Sequence, residues 1–369
     1  MVPGRVEFSR EPAFTMILID GHLDIALNAL VYNRDLRKPA LAIREDEVGM
    51  TSKGRGRGTI GLPDLRDAEV AISFVTCLAR VRPDVTEDMR IDYRTHESAQ
   101  AHAFGELAYY RELERQGSFR IIDDVPSLQS HMQEWAAVPD RTPIGAVLTM
   151  EGADPIVSPD HLPLWWDAGL RVLSLAHYGP SKYAFGTGTT GPVTDDGLAL
   201  LDAMAATPMI LDVTHLCDDS FWMALDHFPG HLIATHSNCR ALVPDERQFN
   251  DDQVKALIER DAVIGAAMDA WMLYPGWIKG ETTPDNVTIE DFVNHIDHVC
   301  QLAGNSRHAA IGTDLDGGYG TEQTPRDLDT YIDMQKVPDL LRQRGYAEAD
   351  IEAICYGNWV RKLETAWTT

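Results

Sequence analysis

The sequence, 369 residues long, predicts an α/β fold, a (β/α)8 TIM barrel. Three observations lead there. Apolar strand candidates recur along nearly the whole chain, most are continuous apolar runs and not alternating ones, and helical patterns lie between them. Eight such runs stand at 16–19, 70–75, 144–150, 172–175, 209–213, 232–234, 262–267 and 309–311. Eight alternating strand and helix units close into a barrel. A doubly wound open sheet is the runner-up, but it would less readily bring the two ends of the chain together.

Taken in order, the first run ends in DGHLD and is followed by an interval, 32–63, longer than a strand–helix unit needs. Its Gly- and Arg-rich stretch Gly54 to Gly61 lacks the GK[ST] ending of a phosphate-binding loop, so a mobile rim loop is expected. The third run ends in MEG and the fourth in AHYG, after which a second long rim loop, rich in glycine and threonine, covers 178–192. The fifth and sixth end in DVTH and THS. Asn250, Asp251 and Asp252 then start a helix with Val254, Leu257 and Ile258 at helical spacing. Thr288 opens another, with Phe292, Ile296 and Val299 on one stripe and Gly304 just past its end. The eighth run ends in GTDLDG. No internal repeat, linker or low-complexity segment divides the chain, so 1–369 reads as one domain.

Composition narrows the partners. A net charge of −25 opposes nonspecific binding to nucleic acid or anionic membranes, which favours a dissolved small-molecule substrate. The early apolar run is too short for a secretory signal, no run is long enough to cross a bilayer, and the C-terminal GNWVRKLETAWTT is amphipathic, so a cytoplasmic protein is expected. Homo-oligomerisation is left open. The five cysteines, Cys77, Cys217, Cys239, Cys300 and Cys355, show no paired spacing and suit a reducing compartment. Cys217 and Cys239 lie near His215 and His236, but are expected to be packing residues.

The strand ends carry the chemistry. Residues i and i+2 of a strand point the same way, so His22 and Asp24 can grip one ion together. Alone that pair is a weak signal. Glu151, His215 and His236 occupy equivalent strand ends, and a carboxylate has two oxygens with which to bridge two metals, so the set describes a two-metal hydrolase site. A single histidine ending a buried strand is often only a hydrogen-bonded core residue. Four of the 13 histidines at strand ends argue against coincidence. His295 and His298 fall on the Thr288 helix and His308 precedes the eighth strand, and these three are assigned no metal role.

In DGHLD, MEGAD, AHYG, DVTH, THSNCRALVPDERQ and GTDLDG, in that order from Asp20 to Gly317, the chain resembles the membrane (renal) dipeptidase family, zinc-dependent barrels of the amidohydrolase type. The resemblance implies that His22 and Asp24 hold one Zn2+, His215 and His236 the other, and that Glu151 and a hydroxide bridge the two. It implies that Asp314 is the acid/base, with Asp316, on the same side by strand alternation, as the rival. It further implies that His177 binds the substrate carbonyl and stabilises charge there, and that Arg247 holds the terminal carboxylate, with Arg240 competing. The implied reaction is hydrolysis of a dipeptide. An N-acyl amino acid, ester or lactam hydrolase on the same site is one alternative, and a catalytically inactive metal-binding protein another. Three segments depart from the family pattern: AHYG lacks the asparagine that commonly follows the histidine, DLDG replaces DFDG, and GAAMDAW replaces a stretch with asparagine, phenylalanine and tyrosine. These bear on how the substrate's amino end and side chain are read.

Overall fold

The computed structural model describes residues 15–84 and 91–368; the remaining residues of the expected single domain lie outside the described ones. Eight barrel strands are numbered here in chain order: β1 (Leu18–Leu23), β2 (Val70–Cys77), β3 (Ile144–Met150), β4 (Leu170–Ser174), β5 (Ile210–Asp212), β6 (Leu232–Ile233), β7 (Ile264–Ala266) and β8 (Ala309–Ile311). Every residue in them is buried, which is why the runs read as continuous and not alternating.

Strands β1 to β6 pair in parallel side by side. A bridge between Ala234 and Ile264 joins β6 to β7, and β7 pairs with β8. The Asp314 N–H donates to the His22 carbonyl at 3.2 Å and closes the ring. Closure is tight at Thr235: a Cβ on Gly265 or Gly312 would fall 2.1 or 1.8 Å from its carbonyl oxygen, so only glycine fits there. A short strand, Phe119–Ile121, pairs beside the start of β3. One buried apolar cluster runs from Leu18 to Ala366. Among the described residues no helix is long and apolar enough to cross a membrane.

The expected helix starts are present. Asn250 and Gln253 form a capping box on Asp251–Glu259, and Thr288 with Asp291 caps Ile289–Ala303, which ends at Gly304 with φ +67°. All five cysteines are buried and unpaired, as packing residues should be.

The first rim interval differs from expectation. It contains the helix Ala40–Asp46 and runs into a second, Leu62–Asp67, and the stretch Gly54 to Gly61 is fastened at several points. Arg34 donates to Gly54 O at 2.6 Å, Gly56 N–H to Glu47 at 2.7 Å, Arg44 to Gly58 O at 2.7 Å, and Thr59 N–H to Asp316 at 2.8 Å. Glycine-rich composition read as mobility; the anchoring comes from charged side chains outside the stretch, three of them upstream and Asp316 far along the chain. The second interval also has some order, with bridges from Tyr178 to Thr187 and from Pro180 to Phe185.

Candidate functional site

At the C-terminal ends of the strands, the five residues read as metal ligands converge. His22 lies within β1, and Asp24 precedes the short helix Ile25–Leu30 without its side chain capping it. Glu151 follows β3, its N–H donating to Cys77 O at 3.0 Å so that the ladder continues one residue further. His215 sits three residues beyond β5 in the left-handed region, φ +69°, a conformation a histidine adopts at a cost. That twist aims its ring back toward Glu151.

Three donor atoms form a near-equilateral triangle. Glu151 Oε1 lies 3.0 Å from His215 Nε2 and 3.3 Å from His236 Nε2, and the two nitrogens are 3.1 Å apart. Ligands about 2.0–2.1 Å from a tetrahedral zinc ion lie roughly 3.3 Å from one another, so this triangle has the size of one face of such a site. The other Glu151 oxygen, Oε2, is 3.8 Å from His22 Nε2, and His22, Asp24 and Glu151 form a second cluster whose donor atoms are all within 4.8 Å of one another. His22 Nε2 and Asp24 Oδ1 are buried with no hydrogen-bond partner. Orphaned buried donors and acceptors are costly unless something binds them, and a pair of divalent cations fits this set.

Hydrogen-bond bookkeeping fixes the ring tautomers. Thr235 Oγ1 donates its one proton to Asp212 Oδ2 at 2.6 Å, so His236 Nδ1, 3.0 Å away, must be the donor of that pair. Thr187 Oγ1 likewise donates to His215 O at 3.3 Å and accepts from His215 Nδ1 at 3.0 Å. Both rings therefore present an Nε2 lone pair to the centre, as a metal ligand requires. His177 is the opposite case: Arg80 Nη1, which can only donate, lies 3.5 Å from its Nδ1, leaving the proton on Nε2. Nε2 of His177 faces Glu151 Oε1 at 3.8 Å, and Glu151, His177 and His215 make up a third cluster.

Electrostatics follow from crowding. Burial first, then the Asp24 charge, raise the Glu151 carboxyl; burial, Asp24 and Glu151 raise Asp314; burial and Glu106 push Asp24 up to about 7. Burial, assisted by Arg247, holds His22 down to about 3 and keeps His215 neutral. Bound cations oppose the first trend and reinforce the second, since they favour ionised carboxylates and neutral imidazoles.

Asp314 and Asp316 part company, contrary to the strand-alternation argument. Strand β8 ends at Ile311, and both aspartates adopt positive φ, +56° and +60°, so alternation no longer applies. Asp314 Oδ1 is 3.9 Å from His22 Nε2 and lines the cleft. Asp316 turns away, accepting from Thr59 N–H and Oγ1, Ile60 N–H and Arg34. It pins a neighbouring loop and does not cap its own turn. Arg247 lines the cleft, held by Ser237 Oγ at 3.2 Å and His236 O at 2.9 Å, whereas Arg240 is spent on a bidentate pair with Asp218 at 2.8 Å.

Sequence reading missed the supports. Asp20 accepts from Thr313 N–H and Oγ1 across β1 and β8, and Asp212 accepts from Thr235 N–H and Oγ1 across β5 and β6. Each threonine immediately precedes a site residue, Asp314 or His236, so the same device registers two strand ends. The signal was present as a lone aspartate inside each apolar tract, LIDGH and ILDVTH. Arg80, Tyr178, Asp269 and Trp271 were also missed; the last three line the cleft, which measures about 130 Å³.

Against this geometry the comparisons can be set. The profile of the membrane dipeptidase family, peptidase family M19, matches residues 9–369. The chain belongs to that family. A Klebsiella pneumoniae protein encoded beside pqqA, itself uncharacterised, is 30% identical over 183 residues, covering 49% of this chain and 64% of its own. An uncharacterised dipeptidase of Schizosaccharomyces pombe is 29% identical over 234 residues, 61% of this chain and 54% of its own. The matches thus span little more than half to under two thirds of those relatives. Among solved structures, a Rhodobacter sphaeroides metallo peptidase bound to a phosphinate mimic of L-Ala-D-Ala superposes with a TM-score of 0.77 at 22% identity, over 96% of this chain and all of that one. The shared fold is the barrel of the M19 dipeptidases, as the sequence predicted.

Proposed function

We propose that this M19 family member is a dinuclear zinc dipeptidase that hydrolyses a dipeptide. The observation that carries the reading is the convergence of Glu151, with one oxygen toward His215 and His236 and the other toward His22, beside Asp24, whose Oδ1 has no hydrogen-bond partner. His22 and Asp24 would hold one ion, His215 and His236 the second, and Glu151 both. The chemistry two zinc ions supply when bound is a lowered pKa of water, giving hydroxide near neutral pH, and polarisation of the scissile carbonyl.

The protein's own groups do the rest. Arg247, whose side-chain hydrogen bonds all go to neutral groups, receives the substrate's terminal carboxylate and fixes the peptide bond over the centre. The His177 Nε2–H donates to the carbonyl oxygen as negative charge grows on it. Asp314, at the rim of the same cleft, takes a proton from the attacking water and returns it to the leaving amine.

A panel of L,L, L,D and D,L dipeptides and N-acyl amino acids, with metal analysis of the purified protein, tests this reading. About two zinc ions per chain and cleavage of at least one dipeptide are expected. Glu151→Ala should lose metal and activity together; Asp314→Asn should keep the metal and lose about 10²- to 10⁴-fold in turnover. Full turnover by Asp314→Asn would remove the acid/base assignment, and a protein that binds no zinc would remove the whole reading.

A further inference from the structure

Asp269 sits in GAAMDAW, the segment that departs from the family pattern, where it caps the short helix Ala270–Leu273. Its buried carboxylate lines the same cleft as Arg247, Asp314, Tyr178 and Trp271. Both oxygens accept from a single amide, Gln323 Nε2, at 2.9 Å each, and Trp271 N–H reaches Oδ1 at 3.4 Å. These donors are neutral. In the same cleft the guanidinium of Arg247 is likewise hydrogen-bonded by neutral groups alone, Ser237 Oγ and His236 O. The cleft therefore offers one cation and one anion whose hydrogen bonds do not join them to each other.

Nearby, the Tyr319 hydroxyl is buried without a hydrogen-bond partner, and after burial the charges of Asp314 and Asp269 act on it most strongly. Burial raises the Asp269 carboxyl to about 6 against the opposing bond from Gln323, so it is mostly ionised at neutral pH. A buried carboxylate served only by neutral donors gains a charge-assisted hydrogen bond when a cation reaches it.

We infer that Asp269 is a specificity-determining residue that binds an ammonium group on the substrate, the free α-amino group of the residue whose carbonyl is attacked. This deepens the dipeptidase reading and rests on it. A dipeptide carries a carboxylate for Arg247 at one end and an ammonium for Asp269 at the other, whereas an N-acyl amino acid carries only the first. Asp269 thus separates the two substrate classes that the metal ligands alone do not distinguish.

The test uses the zinc-loaded full chain and three matched substrates: the best dipeptide, its desamino analogue, and a desamino analogue bearing a side-chain ammonium. The wild type should prefer the dipeptide over the desamino analogue by about 10- to 100-fold in kcat/KM, and Asp269→Asn should shrink that ratio to a few-fold. If the side-chain ammonium substrate shows the preference instead, the α-amino assignment is overturned. A preference that survives in Asp269→Asn, or equal losses on all three substrates, would overturn the proposal. Calorimetric binding of a phosphinate dipeptide mimic, with and without its amino group, gives the same ratio without turnover. If wild type cleaves the desamino analogue as well as the dipeptide and binds both mimics equally, Asp269 is wrong while the peptidase reading holds. If it cleaves neither substrate but binds the amino-bearing mimic preferentially, the peptidase reading falls and the ammonium site remains.

Discussion

Nη1 of Arg80 stands 3.5 Å from Nδ1 of His177, at the outer edge of hydrogen-bond reach, and the same guanidinium is clamped to Asp92 at 2.6 and 2.9 Å. Because a guanidinium has no lone pair to offer, the ring turns its unprotonated nitrogen toward Arg80 and its N–H toward the centre. Burial first and then the charges of Arg80 and Arg247 also keep His177 neutral. The prediction is that His177→Ala retains zinc while kcat/KM falls by about 10²- to 10³-fold, the cost of losing one donor to a developing oxyanion. Arg80→Met, which leaves the ring in place but frees its tautomer, should cost about 10- to 100-fold, mainly in kcat. Metal analysis beside steady-state kinetics checks both, and zinc loss in His177→Ala would make that ring a ligand.

The Asp212–Thr235–His236 chain makes a separate prediction. Thr235→Val keeps the shape of the side chain but removes the oxygen that accepts from His236 Nδ1, so the ring is free to flip or change tautomer. Zinc affinity should fall by about 10- to 100-fold, measured by competition with a chelator, while the fold survives. Unchanged affinity would mean that ring packing alone orients His236.

Much of this was legible because parallel barrel strands impose a simple rule: the run is apolar throughout and the first polar residues after it face the site. Ile144–Met150 and Ala309–Ile311 were readable to the residue, and Glu151 and Asp314 follow from them. What escaped depends on contacts between distant segments. Asp316 looks like Asp314 in sequence, and only its distance from Thr59, 257 positions away, reveals a different task. Arg80 lies in a stretch with no pattern of its own, and GAAMDAW stood out only as a departure from the family pattern, with nothing to single out Asp269 until β7 brings it to the rim.

Asp316 and Arg34, 3.2 Å apart, form the hub that holds the first rim segment, with Glu47 on the far side of the guanidinium at 2.8 Å. All three are buried. Removing Asp316 strips the buried Arg34 of one of its two carboxylates and leaves it Glu47 alone, so Asp316→Ala should destabilise by about 3–5 kcal/mol in denaturant unfolding. Thr59 and Ile60 N–H groups would lose their acceptor as well. A loss below about 1 kcal/mol would show that water replaces the carboxylate, and that the segment is held by its glycine turns instead.

His295 links stability to acid. It is buried on the helix Ile289–Ala303, its Nδ1 accepts the Cys239 N–H at 3.0 Å, and burial lowers its pKa from 6.5 to about 3. The unfolded chain protonates this ring below about pH 6.5 whereas the folded chain does so only near 3, so between those values the unfolded state binds more protons and stability falls as the pH drops. The slope from this one residue approaches about 1.4 kcal/mol per pH unit in the middle of that window. Replacing it with glutamine, which keeps an acceptor but does not titrate there, should flatten the curve between pH 6 and 4 while costing stability at pH 8. Urea unfolding across that range, on metal-free protein so that release of ligands does not intrude, measures the difference; parallel curves for the two proteins would place the acid sensitivity elsewhere.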